Sequence, residues 1–172
     1  MIKRRDLLAT SVAGITALAL GGIGQGEAHA QVAPPVSALD EASLAIVRVW
    51  VPVILGDSVL PTDATARQAS INLTAQRAGE IVSNYPSVNQ AGIVGLFNAL
   101  KAGPTMFNPA FPATWEAMPP TLLAALFDGL RVSQVASQRS IFSAFMGLIP
   151  NAFYSNPINW PSIGYAGPPT FA

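Results

Sequence analysis

The chain has 172 residues, with nine basic and nine acidic side chains, no cysteine and a single histidine, His29. Without thiols, disulfides, Cys–His nucleophiles, haem attachment and iron–sulfur ligation are excluded, and one imidazole falls short of an ordinary zinc site. A formal net charge of zero with no basic stripe argues against a nucleic-acid partner.

Lys3-Arg4-Arg5-Asp6-Leu7-Leu8 is a basic opening with an arginine pair, followed by an apolar run to about Leu20 and a polar stretch ending Ala28-His29-Ala30. Ala28 and Ala30 fit an A-x-A cleavage site that would leave Gln31 at the new terminus. The pair Arg4 and Arg5, followed by Asp and two leucines, fits a twin-arginine signal, a route that carries folded proteins. The alternatives are an ordinary secretory signal or an uncleaved anchor, but the apolar run is short for a span of ~20 residues and is diluted by Gly and Thr. The expected organisation is a twin-arginine signal over 1–30 and one helical domain over 31–172, located in the periplasm. Loss of the leader removes His29, and a Ser-His-Asp triad with it. It also removes three of the basic residues and two of the acidic ones, which leaves the remainder slightly acidic.

Gln31–Val36, with Pro34-Pro35, reads as an unstructured lead-in. Ser37-x-x-Asp40 resembles a capping box, and Asp40-Glu41 suit the positive end of a helix dipole. The helix that follows carries Leu44, Ile46, Val47, Val49, Trp50 and Val51 with only Arg48 charged, and Pro52 should end or kink it. A helix apolar on nearly every side is enclosed, either by its own core or in part by a partner. After a loop holding Gly56, Asp57 and Pro61, Asp63 reads as the N-cap of a helix over Ala64–Ser83. Asp57 and Asp63 alone are weak evidence for calcium. Ser87-x-x-Gln90 reads as a second capping box, opening a helix to about Lys101, where Gly103-Pro104 stops it. Gly92 and Gly95 on that helix could allow close packing.

Thr105–Met118 is a loop carrying Phe107, Phe111 and Trp115 among prolines. Pro119-Pro120 opens a helix to Val132, and a last helix of about Gln138–Tyr154 should kink at Pro150. No strand pattern competes. The expected fold is all-α, a small irregular bundle of four to five helices.

The segment 155–172 contains Pro157, Pro161, Pro168 and Pro169, which forbid a helix or central strand and bias it toward extended or turn geometry, so an extended tail is expected. It also carries Trp160, Ile163, Tyr165 and Phe171, and burying a side chain of that size is worth ~1.5–3 kcal/mol. These anchors must lie in a groove, of this domain or of another protein. The residues singled out for a partner interface are Tyr154, Trp160, Ile163 and Tyr165, with Phe111 and Trp115 behind them; intramolecular packing is the alternative for each. Composition favours a partner: 51% of residues are hydrophobic and 10% charged, and the mean hydropathy is +0.41. No catalytic, cofactor-binding or metal-ligating constellation stands out. Glu116 and Asp128 are the least explained acids, and Asp128 most simply pairs with Arg131.

Arg4-Arg5, the apolar helix ending at Tyr154 and the run Phe-Tyr-Ser-Asn-Pro-x-x-Trp-x-x-Ile-Gly-Tyr-x-Gly-Pro-Pro from Phe153 to Pro169 resemble a known group. These are the small subunits of periplasmic flavin-dependent dehydrogenases of the glucose–methanol–choline class, which act on gluconate, sorbitol, fructose or glucose. The resemblance implies a non-catalytic accessory subunit that escorts the flavoprotein large subunit through export and supports its maturation and stability. It places FAD in that partner, passes the electrons to a cytochrome c subunit or another membrane acceptor, and makes any membrane association indirect. The aromatic Phe107–Trp115 loop and the apolar first helix depart from the better-known members and leave the substrate of the partner open. A periplasmic helical binding protein for a small apolar ligand is the alternative function.

Overall fold

The computed structural model describes residues 37–168, and these form five α-helices and three short 3-10 turns with no strand among them. The chain divides into two units, Met1–Val32 and Ala33–Ala172, and the described residues belong to the second. The helices are α1 (Glu41–Leu55), α2 (Ala64–Ser83), α3 (Ser87–Leu100), α4 (Pro120–Val132) and α5 (Ala136–Tyr154). The fold is all-α.

Helix α1 is the centre of the bundle and touches all four others, while α2 packs against both α1 and α5 and α4 rests on α5. Its Ile46, Val47, Trp50 and Val51 are buried. The Trp50 ring lies 5.5 Å from Trp115, 5.8 Å from Phe127 and 5.1 Å from Phe145, centroid to centroid. These aromatic rings, with Phe97 and Phe153, fill the interior. The near-continuous apolar character of α1 is thus explained by enclosure within this chain. Helix α2 meets its neighbours through a face of small side chains, with Ser70, Thr74, Ala75, Ala78 and Gly79 all buried. At Gly79 a β-carbon would collide with the Ser37 hydroxyl, so the glycine seats the entering chain against α2. The Ala38 amide donates to Ser83 Oγ at the same place.

The capping signals hold at Asp63 and shift at the other two starts. Asp40, not Ser37, is the N-cap of α1: its carboxylate accepts from the Ser43 amide at 3.0 Å, while the Ser37 hydroxyl donates to the Leu39 carbonyl. Asp63 caps α2 as expected, accepting from the Ala66 amide. Helix α3 starts one residue earlier than a capping box requires. Ser87 is already inside the helix and Pro86 is the cap, without a side-chain bond.

Pro52 and Pro150 both lie inside helices, which continue past them to Leu55 and Tyr154. An interior proline costs about 3 kcal/mol. Past Pro150, burial of Ala152 and Phe153 opposes that cost; at Pro52 the helix is held by Trp50 and Val51 just before it and by the Gly56 amide bonding back to the Pro52 carbonyl. Gly92 and Gly95 on α3 face open space and serve no close approach among the described residues.

Charges are largely paired. Arg48 meets Glu41, Arg67 meets Asp57, Arg77 meets Glu80, Lys101 meets Asp40 and Arg131 meets Asp128. The Lys101–Asp40 pair ties the end of α3 to the start of α1. Lys101, then the Ser43 hydroxyl and amide, hold the Asp40 carboxyl down at about 2, from an ordinary 3.8. Arg48 lowers Glu41 in the same direction.

Candidate interaction surface

The surface begins where α5 ends. Beyond Tyr154 the chain does not run out extended, as its prolines suggested. It winds into two 3-10 turns, Pro157–Asn159 and Pro161–Ile163, each with proline at its first position. Proline has the right φ there and its missing N–H is not needed, so the feature that forbids an α-helix starts a short turn well. The Asn156 side chain caps the first turn by accepting from the Ile158 amide.

The residue that fixes the tail is polar. Asn159 is 2% exposed. Its Oδ1 accepts from Ser70 Oγ on α2 at 2.7 Å, and its Nδ2 donates to the Phe153 carbonyl at 3.0 Å. Arg77 Nε reaches Ser155 Oγ at 3.3 Å on the same helix. Around this lock the tail folds on itself. The Trp160 indole N–H donates to the Tyr154 carbonyl at 2.8 Å and the Tyr165 amide to the Trp160 carbonyl at 3.0 Å. The Trp160 and Tyr165 rings meet edge to face at 5.1 Å. Gly167, at φ +99°, lets the chain pass close to the Trp160 ring, where a β-carbon would lie 3.2 Å from Cζ3.

The consequence is that large apolar groups point outward. Ile158 is 67% exposed, Tyr154 and Tyr165 46% each, Ile163 36%, and Trp160 is half-buried. A shallow cleft of about 410 Å³ runs between Pro157, Trp160, Pro161, Gly164, Tyr165 and Ala166. A second cleft of about 340 Å³ meets it at Pro157, lined by Leu73, Gln76, Arg77, Glu80, Ser155 and Asn156.

The aromatic loop behaves differently. Trp115 is 3% exposed, donates its indole N–H to the Leu100 carbonyl at 2.8 Å and packs against Trp50 in a tilted contact. Its place among the partner anchors is therefore corrected: it is a core residue of this chain. Phe111 is only partly buried and packs against that core. Arg4, Arg5, Ala28 and Ala30 lie outside the described residues. Asn159, Ser70 and Ile158 were missed by sequence reasoning. A cue existed in Ser70 and Thr74, hydroxyls at inward-facing helical positions that require polar partners.

Among the described residues no three His, Cys, Asp or Glu side chains gather as a metal site, and no helix is long and apolar enough to cross a membrane. Compared with protein-family models, with curated proteins and with solved structures, the chain matches none.

Proposed function

We propose that this chain is the non-catalytic small subunit of a periplasmic FAD-dependent dehydrogenase of the glucose–methanol–choline class. It carries the flavoprotein large subunit through twin-arginine export as a passenger and stabilises it afterwards. FAD sits in the large subunit, and a cytochrome c subunit accepts the electrons. The observation that carries this reading is the tail. A buried Asn159 holds a folded segment whose Tyr154, Ile158, Ile163 and Tyr165 side chains stay exposed. Large aromatic and aliphatic groups held rigid at a surface are what an interface core uses, because little ordering entropy is lost on binding. The alternative, a binding protein for an apolar ligand, needs room in the bundle interior, and rings from Trp50, Trp115, Phe97 and Phe145 occupy it.

The test replaces Arg4 and Arg5 with lysine in the producing host. The dehydrogenase activity and this chain are then both expected to remain in the cytoplasm. Full dehydrogenase activity in the periplasm of that strain would refute the escort role.

A further inference from the structure

From the sequence Glu116 is an acid without a role, and the fold gives it no partner. Of the other carboxylates among the described residues, five meet a basic side chain and Asp63 caps α2. Glu116 makes no hydrogen bond or ion pair with any described residue. It lines a cleft of about 210 Å³, formed on α1 by Ala42, Ala45 and Ile46 and across from them by Lys101, Thr114 and Trp115. The wall opposite α1 is pinned. Gly103, at φ +84°, lies so near Ala113 that a β-carbon would collide with its carbonyl oxygen. The Trp115 indole is bonded to the Leu100 carbonyl, and the Met118 amide donates to the Trp115 carbonyl. Trp115 and Met118 are buried on either side of Glu116, so this exposed carboxylate sits on a fixed backbone.

We propose that this cleft binds a primary ammonium group carried on a short aliphatic stem. Charge selects the ligand. Lys101, the cation of the lining, is already held by Asp40 and Asn98, so Glu116 is the charge of the cleft left without a counterpart. A monocation supplies it, whereas an anion would meet Glu116 with only a neutralised lysine to offset the repulsion. Shape selects the stem. Ala42 and Ala45 on one side and Gly103 and Ala113 on the other leave room between them, and their lining suits methylene groups. The Thr114 hydroxyl, bonded to no described residue, offers the ammonium a second acceptor beside the carboxylate. A lysine side chain of another polypeptide and a free amine share this chemistry. The assignment is independent of the escort reading.

The experiment titrates the purified, isotope-labelled full chain and follows the Trp115 indole N–H and the Thr114 amide by NMR. The probes are n-butylamine, a capped tripeptide with lysine at its centre, and butyrate as the opposite charge. Saturable shifts with both amines and none with butyrate are expected. Glu116→Gln should weaken amine binding about tenfold, the scale of a hydrogen bond to a charged group. Ala45→Leu, which fills the cleft and leaves the carboxylate in place, should weaken it by a similar factor. Thermal unfolding of each variant confirms that it folds. A tripeptide that binds tighter than butylamine assigns the cleft to a lysine side chain, and one that binds no tighter assigns it to a free amine. Absence of saturable shifts, butyrate binding as well as the amines, or amine binding unchanged in either variant would overturn the proposal.

Discussion

Two segments of this chain have nearly the same composition and opposite fates. The loop between α3 and α4 and the tail after α5 are both uncharged over most of their length, broken by prolines and carry a tryptophan among other aromatics. The loop turns its tryptophan inward, where Trp115 finds a ring in Trp50 and an acceptor in the Leu100 carbonyl. The tail is anchored by an amide instead, and its rings are left at the surface. What lies underneath makes the difference. Beneath the loop is the aromatic heart of α1, whereas beneath the tail is the small, hydroxyl-bearing face of α2. Aromatic content therefore does not mark an interface, and the chemistry of the supporting helix decides which way a ring points.

The contrast can be broken most severely at Trp115. Trp115→Ala should destabilise the fold by about 3–5 kcal/mol, the usual cost of emptying a buried tryptophan site. Denaturant unfolding measures this, and a loss below about 1 kcal/mol would mean the loop is not part of the core. Next is Asn159→Leu, which leaves the Ser70 hydroxyl and the Phe153 carbonyl without their partner. A loss of about 1–3 kcal/mol is expected, together with faster amide exchange from Asn159 to Tyr165 while the loop stays protected. Uniform exchange across both segments would show that the tail has no lock of its own.

Tyr165→Ser sharpens the comparison from the other side. As a half-exposed position it should change stability by about 0.5 kcal/mol or less, yet weaken capture of the proposed flavoprotein partner. A fall in stability comparable to Trp115→Ala would make Tyr165 a core residue too.

The smallest effect concerns neither aromatic segment but the frame between them. Asp40 has its carboxyl lowered from 3.8 to about 2 when folded, by Lys101 first and Ser43 second. A depressed folded value means the contribution is complete above 3.8 and is lost as pH falls toward 2. Asp40→Asn should therefore flatten the decline of stability in that window and leave the two segments' exchange patterns unchanged. Identical acid titrations of the variant and wild type would remove Asp40 from the account.

The legible part of this fold is the part set by local signals. Asp63 announces α2, and Pro119-Pro120 together with the spacing to Val132 announce α4. The last helix runs through Pro150 to Tyr154 as its pattern implied, and α1 does not end at Pro52 but continues to Leu55. In the tail the prolines bar an α-helix as expected, but two of them, Pro157 and Pro161, open 3-10 turns where an extended run was the main expectation. The direction of each tryptophan was not readable at all. It depends on which helix lies below, and that is settled only by packing between segments far apart in sequence, such as Ser70 with Asn159 and Leu100 with Trp115.

The most direct measurement is the flavin content of this protein isolated under gentle conditions from the cells that make it. A yellow complex with stoichiometric FAD on a second, larger polypeptide is the predicted result. A colourless, monodisperse chain that is active by itself would contradict the account.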